Sequence, residues 1–409
     1  MNRRAFITAL GGVVASSLLA KSFGAQLFNP CLASLPTQFS TNSTVRDAWD
    51  GIDPTQVWDC HTHLVGVGDG GGGAYANSRT KNPLFVSQFV QRIFYMNAAC
   101  VNGAEGTTDS SYVEHLRSLL DAMPHGVKVM LLAFESFHDA NGAVDWGRTT
   151  FHTPNSYARD MSRAYPERFE WIASIHPYRH DSIAELRRAK MDGARAVKWL
   201  PSAMGIDPAS KRCDGFYAAL RELNLPLITH AGHEAAVDVD SGQAFGNPLL
   251  LRRALDHGVR VVVAHCASLG EDRDIDQGRN GPWVDSLKLF DRLMHEPAYE
   301  KLLFGDISAI TQRNRAGQAL GYLLPRKHLH HRLLNGSDYP LPGVTPLFSL
   351  EYLAGKNLLN ANEIPVLKAV RKYNTLLFDF LLKRRVNIRG EYFDATVFQT
   401  RPFFQSIEG

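Results

Sequence analysis

The sequence contains few cysteines and no marked excess of charge of one sign. Five cysteines lie scattered along 409 residues, too few for a fold built on disulfides, although an oxidising compartment would permit a bridge. The formal net charge is only +3, and no basic stripe with interleaved aromatic residues is present. These absences disfavour a disulfide scaffold and predict no nucleic acid as a partner.

Long apolar runs, nucleotide-binding glycine motifs and low-complexity tails are also missing. Beyond the N-terminus, no segment is long and apolar enough to span a membrane. No G-x-G-x-x-G pattern follows the first apolar run, and no Lys-Ser/Thr pair follows the glycine run at 66–73. The first absence disfavours a dinucleotide-binding fold, and the second disfavours a phosphate loop.

The N-terminus has the layout of an export signal. Arg3 and Arg4, with Phe6 two residues on, precede an apolar run that ends near Ala20. The paired arginines resemble the twin-arginine export signal, which implies a periplasmic protein. A membrane anchor is the alternative, but the run is shorter than the roughly 20 residues that span a bilayer. We predict a signal peptide and lead-in over 1–33, with no stable membrane span after cleavage.

Eight short apolar runs alternate with amphipathic stretches along the rest of the chain. They are Val57–His63, Val127–Phe134, Phe169–Pro177, Ala194–Leu200, Leu225–Gly232, Val259–Cys266, Leu302–Ser308 and Arg332–Asp338. Strands that alternate with helices, over a span close to the ~250 residues of such a fold, predict an α/β architecture, a (β/α)₈ TIM barrel. A doubly wound open sheet is the alternative.

Two connections are longer than a βα unit requires. The first joins His63 to Val127 and contains the glycine run and a predicted helix over 83–97, and the second covers 135–154. Because loops after strands lie at the mouth of a barrel, we expect both to form lids or pocket walls. We predict a catalytic domain over 55–385 and a helical C-terminal extension over 386–409.

Residue types that bind metals end several predicted strands. His61 and His63 lie two residues apart, so they share a face of the first strand, and two such imidazoles can bind one divalent ion. Three later strands close on His230, His265 and Asp338. One histidine at a strand end is more often a hydrogen-bonded core residue. Four histidines and an aspartate would form a costly buried cluster without an ion, so we predict a metal site.

This arrangement resembles the amidohydrolase superfamily and, within it, the amidohydrolase-related branch. The family pattern has H-x-H on the first strand, lysine or another group on the fourth, histidines on the fifth and sixth, and aspartate on the eighth. The sequence supplies these in order as His61, His63, Lys198, His230, His265 and Asp338. The resemblance covers roughly residues 55–385. It implies a hydrolase whose metal activates water to attack an amide, ester or lactone carbon of a small-molecule substrate.

The resemblance also implies roles for these residues. His61, His63 and Asp338 would hold a first metal, and Asp338 would be the catalytic general base. His230 would complete a single-metal site or serve a second ion. His265 would bind that second ion or, with one metal, act on the substrate by orienting it. The nitrogen and oxygen ligands suit Zn²⁺, and also manganese, iron or cobalt.

Lys198 separates two possible reactions. A lysine bridges two ions only after carboxylation to a carbamate, and such a two-metal centre favours hydrolysis. One ion with an unmodified Lys198 free for a carboxylate favours the alternative, a metal-dependent decarboxylase of an aromatic or unsaturated acid. A metal- or substrate-binding protein without turnover is a third hypothesis. A homo-oligomer is the usual prior for quaternary structure.

Other polar residues and two cysteines are weaker features of the pattern. Asp306 is predicted to be a polar core residue. Cys60 and Cys266 are predicted to be small core residues that point away from the barrel interior, because they neighbour the histidines. Four residues near strand ends are further candidates for the pocket: His176, Glu135, His233 and Glu234.

Overall fold

The computed structural model describes residues 27–101, 106–237, 239 and 242–405. Most of the predicted signal peptide lies in residues 1–26, outside the described residues, so the export signal stays a prediction. Residues 406–409 of the predicted C-terminal extension also lie outside them. Within the described ranges, no helix is both long enough and apolar enough to cross a bilayer.

Eight parallel strands form the centre of the fold. They are β1 (Trp58–His63), β2 (Lys128–Leu132), β3 (Phe169–Ile172), β4 (Val197–Trp199), β5 (Leu227–His230), β6 (Val261–Ala264), β7 (Leu303–Asp306) and β8 (Leu333–Leu334). Strands β1 to β3 pair in sequence order, and so do β4 to β8. All eight predicted strands are therefore present, each shorter than its apolar run.

Backbone pairing closes these two groups of strands into a barrel. Ala173 and Val197 form a parallel bridge between the end of β3 and β4. Thr62 of β1 forms another with Tyr339, just beyond β8, and the His63 N–H donates to the Tyr339 carbonyl at 3.0 Å. This closure confirms the predicted TIM barrel over the open sheet. It brings the carboxyl ends of all eight strands to one mouth.

The first strand is irregular in its middle. Its pairing with β2 shifts register between Asp59 and Thr62, as at a β-bulge, so the strict alternation of side chains is lost. Cys60 consequently lies in the cluster that fills the barrel interior, while His61 faces the mouth. The prediction that Cys60 points away from the interior is wrong for this reason. Cys266 packs in the larger cluster outside the strands, as predicted.

The barrel interior is apolar and is closed at its base by the C-terminal segment. Phe404, in the helix Arg401–Gln405, is fully buried among the inward-facing strand residues. The interior cluster consists of Trp58, Cys60, Met130, Leu132, Ile172, Ala196, Ile228, Val262, Leu334 and Phe404. The C-terminal segment is therefore part of the barrel core.

Helices cover the outside of the barrel. The helix Ser286–Met294 shows why the helices pack against the strands. Its residues Leu289, Phe290 and Leu293 recur at helical spacing, so they form one apolar face, and they are fully buried. The other helices of eight residues or more are Val86–Ala98, Thr108–Asp121, Asn155–Ala164, Ser182–Met191, Asp214–Glu222, Ala316–Leu323, Ile364–Arg371 and Thr375–Arg385. Shorter helices are Thr37–Ser40, Ser43–Arg46, Pro201–Met204, Arg252–Asp256 and Leu350–Gly355.

The two long connections meet above the mouth. The first carries the helix Val86–Ala98, here called the lid helix, and its segment Tyr75–Ala76 pairs antiparallel with Phe151–His152 of the second. The Tyr95 hydroxyl of the lid helix donates to the Ala236 carbonyl beyond β5 at 2.8 Å. A disulfide between Cys31 and Cys100 joins the N-terminal lead-in to the end of the lid helix. These contacts hold the lid helix against the barrel.

Candidate metal centre

A cavity of about 680 Å³ opens at the mouth of the barrel. Its walls are mainly apolar and include Val90 and Phe94 of the lid helix, Phe134 just after β2 and Phe151 of the second long connection. Both long connections therefore contribute to the walls. All six residues predicted for the site line this cavity: His61, His63, Lys198, His230, His265 and Asp338.

Three of these side chains converge most closely. One ligand atom each from His61, His265 and Asp338 lie within 4.8 Å of one another, and all three residues are buried. His63 joins them through its Nε2 atom, 3.1 Å from Asp338 Oδ1. Nitrogen and carboxylate ligands bind Zn²⁺ at about 2.0–2.2 Å, so this cluster is of a size to hold one ion. The geometry groups His265 with His61 and Asp338, whereas the family pattern gave it a separate role.

His230 lies beside this cluster with one nitrogen lacking a partner. Its ring centroid is 5.5 Å from that of His265, and its Nδ1 atom is 3.4 Å from Glu234 Oε2. Its Nε2 atom is buried and has no hydrogen-bond partner among the described residues. A buried polar atom without a partner is costly, so this nitrogen fits a ligand that the protein itself does not supply. A divalent ion meets that requirement.

The backbone at two of the site residues adopts a conformation that is rare for side-chain-bearing residues. His265 and Asp338 have φ values of +55° and +60°. Each such residue costs on the order of 1–3 kcal/mol and persists where the surroundings hold it, commonly at functional sites. The Asp338 N–H donates to the His61 carbonyl at 2.7 Å, which helps to hold this conformation. The fold thus spends stability on positioning these two side chains.

Asp306 at the end of β7 supports two of the imidazoles from below. It is fully buried, and its Oδ2 atom lies 2.9 Å from His61 Nδ1. Its Oδ1 atom accepts from the backbone N–H groups of His265 and Ser308 at 2.9 Å and 3.0 Å. An acceptor at Nδ1 favours the ring proton on that nitrogen and turns His61 Nε2 toward the cluster. The prediction of a polar core residue was correct but missed this contact.

His265 is oriented in the same way by Ser308. Its Nδ1 atom lies 3.1 Å from the Ser308 carbonyl and 2.7 Å from the Ser308 hydroxyl. Donation to the carbonyl leaves Nε2 on the side of Asp338, whose Oδ2 atom is 3.8 Å away. Both imidazoles therefore present Nε2 to the same carboxylate.

The electrostatics of the site favour the neutral forms of His63, His230 and His265 and the ionised form of Asp338. Burial raises the pKa of Asp338, but His265, His63 and His61 outweigh it and hold that pKa well below its usual range. Burial lowers the pKa of His230 to about 4 and also depresses the pKa values of His265 and His63. Metal ligands must be deprotonated, and near pH 7 these groups already are.

Lys198 reaches the same cluster from β4. Its side chain is 2% exposed, and its Nζ atom lies 3.1 Å from His61 Nε2. Burial lowers the pKa of Lys198, against the opposing charges of Asp306 and Asp338. The fourth-strand lysine is therefore next to the candidate ligands, and its carboxylation stays a prediction.

The weaker candidates divide into two groups. His233 and Glu234 line the cavity, and Glu234 also contacts His230 as described above. His176 instead contacts the Met204 carbonyl through Nε2 at 3.0 Å, and Glu135 pairs with Arg179 at 2.8 Å. Neither His176 nor Glu135 belongs to the described lining of the cavity.

Sequence reasoning missed two further cavity residues, Gln312 and Arg315. Both are buried, both line the cavity, and both lie in the loop after β7. They are several residues beyond the strand end, so the alternation of strands and helices gives no signal for their direction. Asp306, in contrast, had a signal, because it is a carboxylate near the end of an apolar run, as Asp338 is.

Comparison with known proteins identifies one matching family model. The model is described as amidohydrolase and matches residues 58–356, which is well over half of the chain. None of the curated proteins gives a significant match.

Several solved structures resemble the fold at low sequence identity. An uncharacterized TIM-barrel protein from Bordetella bronchiseptica is 16% identical, with 76% of this chain and 98% of that chain covered and a TM-score of 0.47. 5-Carboxyvanillate decarboxylase from Novosphingobium aromaticivorans, with bound manganese, is 12% identical (87% and 99% covered, TM-score 0.43). 4-Oxalomesaconate hydratase from Rhodopseudomonas palustris is 13% identical (78% and 96% covered, TM-score 0.42). None of these likenesses assigns an activity to this chain.

Proposed function

Because the chain belongs to the amidohydrolase family, we propose that it is a metal-dependent hydrolase that directs water to an amide, ester or lactone carbon of a small molecule. His61, His63, His230, His265 and Asp338 would hold the metal. A divalent ion in that position supplies Lewis acidity, which polarises a carbonyl and makes water a stronger acid. The unpartnered Nε2 atom of His230 supports this assignment.

The main observation behind the proposal is the position of Asp338, the proposed general base. Its carboxylate is buried and ionised, and it lies beside His63 and His265, whose pKa values are lowered, at the floor of an apolar cavity. A carboxylate in this position accepts a proton from the attacking water and returns it to the leaving group. The contact with His63 at 3.1 Å fixes Oδ1, and the backbone bond to His61 fixes the main chain. The apolar walls exclude bulk water, which strengthens these interactions.

The test compares two variants on a panel of lactones, esters and amides. Asp338→Asn is expected to abolish turnover and retain most of the metal, whereas His61→Ala is expected to lose both. Asp272→Asn is a matched control, because Asp272 is also buried but pairs with Ser286 outside the described cavity lining. Full activity of Asp338→Asn would show that the general-base assignment is wrong.

Decarboxylation is the second candidate, and the position of Lys198 favours it. A buried amine 3.1 Å from His61 is available to a substrate carboxylate if it is not carboxylated. Elemental analysis and native mass measurement separate the two. Two ions with the mass of a carbamate support hydrolysis, and one ion with an unmodified lysine supports decarboxylation. Carbon dioxide release without incorporation of labelled water oxygen would rule out the hydrolase.

We also propose that the protein is exported and that its metal is zinc. The disulfide between Cys31 and Cys100 supports export, because such bonds persist mainly in oxidising compartments. The ligand set of imidazoles and one carboxylate supports zinc, although manganese accepts the same atoms. Metal analysis of protein recovered from the periplasm tests both statements together.

A further inference from the structure

The loop after β7 places two donors without partners in the cavity wall. Gln312 is 4% exposed and Arg315 is 7% exposed, and both line the cavity. The Nε2 atom of Gln312 and the Nε atom of Arg315 are buried, and neither has a hydrogen-bond partner among the described residues. Buried donors of this kind are nearly always satisfied in folded proteins, so a ligand is expected here.

The positive charge of Arg315 is also unpaired. Within the described ranges, its guanidinium makes one hydrogen bond, from Nη1 to Ser268 Oγ at 3.3 Å, and no carboxylate lies within salt-bridge distance. Arginine remains charged in proteins, and a buried charge without a counter-ion is strongly unfavourable. The guanidinium therefore has room for a carboxylate in direct contact, in addition to the longer-range attraction of Asp338 and Glu234.

The nearest acidic candidates in the cavity are already occupied. Glu234 uses Oε1 to accept from the backbone N–H groups of Ala236 and Val237, and it uses Oε2 to contact His230. Asp338 faces the histidine cluster. Both carboxylates attract Arg315 through space, but among the described residues neither forms a salt bridge with it.

We propose that Arg315 and Gln312 form a subsite for a carboxylate group of the substrate. The planar guanidinium offers parallel N–H donors to a carboxylate, and the amide of Gln312 adds a further donor. One formal positive charge matches a singly charged carboxylate better than a phosphate dianion. The remaining walls are mainly apolar, so the substrate is a small carboxylic acid with an apolar body.

Binding of a carboxylate at Arg315 does not depend on the proposed function. The inference rests on that function only where it says which group of the substrate reacts at the histidine cluster. In a hydrolase, Arg315 holds a carboxylate that takes no part in the reaction and stays in the product. It thereby positions the neighbouring amide, ester or lactone over the histidine cluster. In a decarboxylase, the group held by Arg315 is a second carboxylate or the one that leaves.

The test measures binding of benzoate and of its neutral analogue benzamide to the metal-loaded protein by calorimetry. The wild type is expected to bind benzoate at least about tenfold more tightly than benzamide, as for hydrogen bonds to a charged group. Arg315→Gln is expected to remove this preference, and Gln312→Leu to reduce it. Arg187→Gln is the charge control, because it removes an equal charge from an exposed position outside the described lining of the cavity.

Two outcomes would overturn the inference. They are a wild type that binds the two probes equally, and an Arg315→Gln variant that keeps its benzoate affinity. If Arg315→Gln does not fold, Arg315→Lys decides, because it keeps the charge and loses the planar fork. A several-fold weaker affinity for benzoate supports the subsite, and an unchanged affinity contradicts it. A wild type that prefers benzoate but turns over none of the lactones, esters and amides would instead contradict the proposed function and leave the subsite standing.

Discussion

The carboxylate of Asp306 lies 2.9 Å from the Nδ1 atom of His61, in a fully buried position below the mouth of the barrel. The same side chain accepts the backbone N–H of His265 at 2.9 Å. One carboxylate from β7 therefore orients a ring on β1 and fixes the backbone of a residue after β6. The cluster is held in place by residues that do not face the cavity.

Asp306→Asn is expected to weaken metal binding by about 10- to 100-fold, because the contact that orients His61 loses its charge. The affinity is measured by titration against a competing chelator. Asp272→Asn is the control, since it neutralises a buried carboxylate that pairs with Ser286. Equal metal affinity in the wild type and in Asp306→Asn would show that this contact does not support the site.

Gly336→Ala is expected to displace His61 and lower both metal content and stability. A Cβ atom at this position would lie 2.6 Å from His61 Cβ, which is closer than any real contact allows. Gly321→Ala is the control, because a Cβ there meets nothing within 4 Å and the residue lies inside the helix Ala316–Leu323. The control should gain about 0.5–1 kcal/mol of stability. Normal metal content in Gly336→Ala would contradict the close approach.

Phe404→Ala is expected to cost about 3–5 kcal/mol of unfolding free energy, because it opens a cavity at the base of the barrel. Denaturant unfolding measures this loss. Leu84→Ala, at a position that is 87% exposed, should change stability by no more than about 0.5 kcal/mol. A similarly small effect of Phe404→Ala would mean that the C-terminal helix does not fill the barrel.

The stability of the protein should fall as the pH is lowered from about 6.5 to about 4, in part because of His115. Burial lowers the pKa of His115 to about 4 from its ordinary value of about 6.5, and its Nε2 atom has no partner among the described residues. Between these pH values the unfolded chain binds a proton that the folded chain does not, so stability decreases as the pH falls.

The His115→Gln variant isolates this contribution. Urea unfolding at pH 7.5 and at pH 5 should show a smaller loss of stability for the variant than for the wild type. The comparison at pH 7.5 serves as the control, because His115 is neutral there in both states. An identical loss in the two proteins would show that His115 is not buried in its neutral form.

The sequence predicted those parts of the fold that depend on local periodicity. The eight strands and the residues that end them follow from apolar runs and their spacing, which is why His230, His265 and Asp338 were found. The β-bulge that turns Cys60 inward depends on the register with β2, and no local pattern encodes that register. The direction of Arg315 depends on the conformation of a loop, so its place in the cavity required the structure.

The disulfide between Cys31 and Cys100 has a consequence for proteolytic damage. It closes a covalent ring that includes β1 and the lid helix, and within that ring the glycine turn at 70–73 is largely exposed. Exposed loop tips are the preferred sites of nicking. A cut in this turn would leave both new ends attached to the same molecule. The wall of the cavity would therefore survive a backbone break, and the damage would be visible only after reduction.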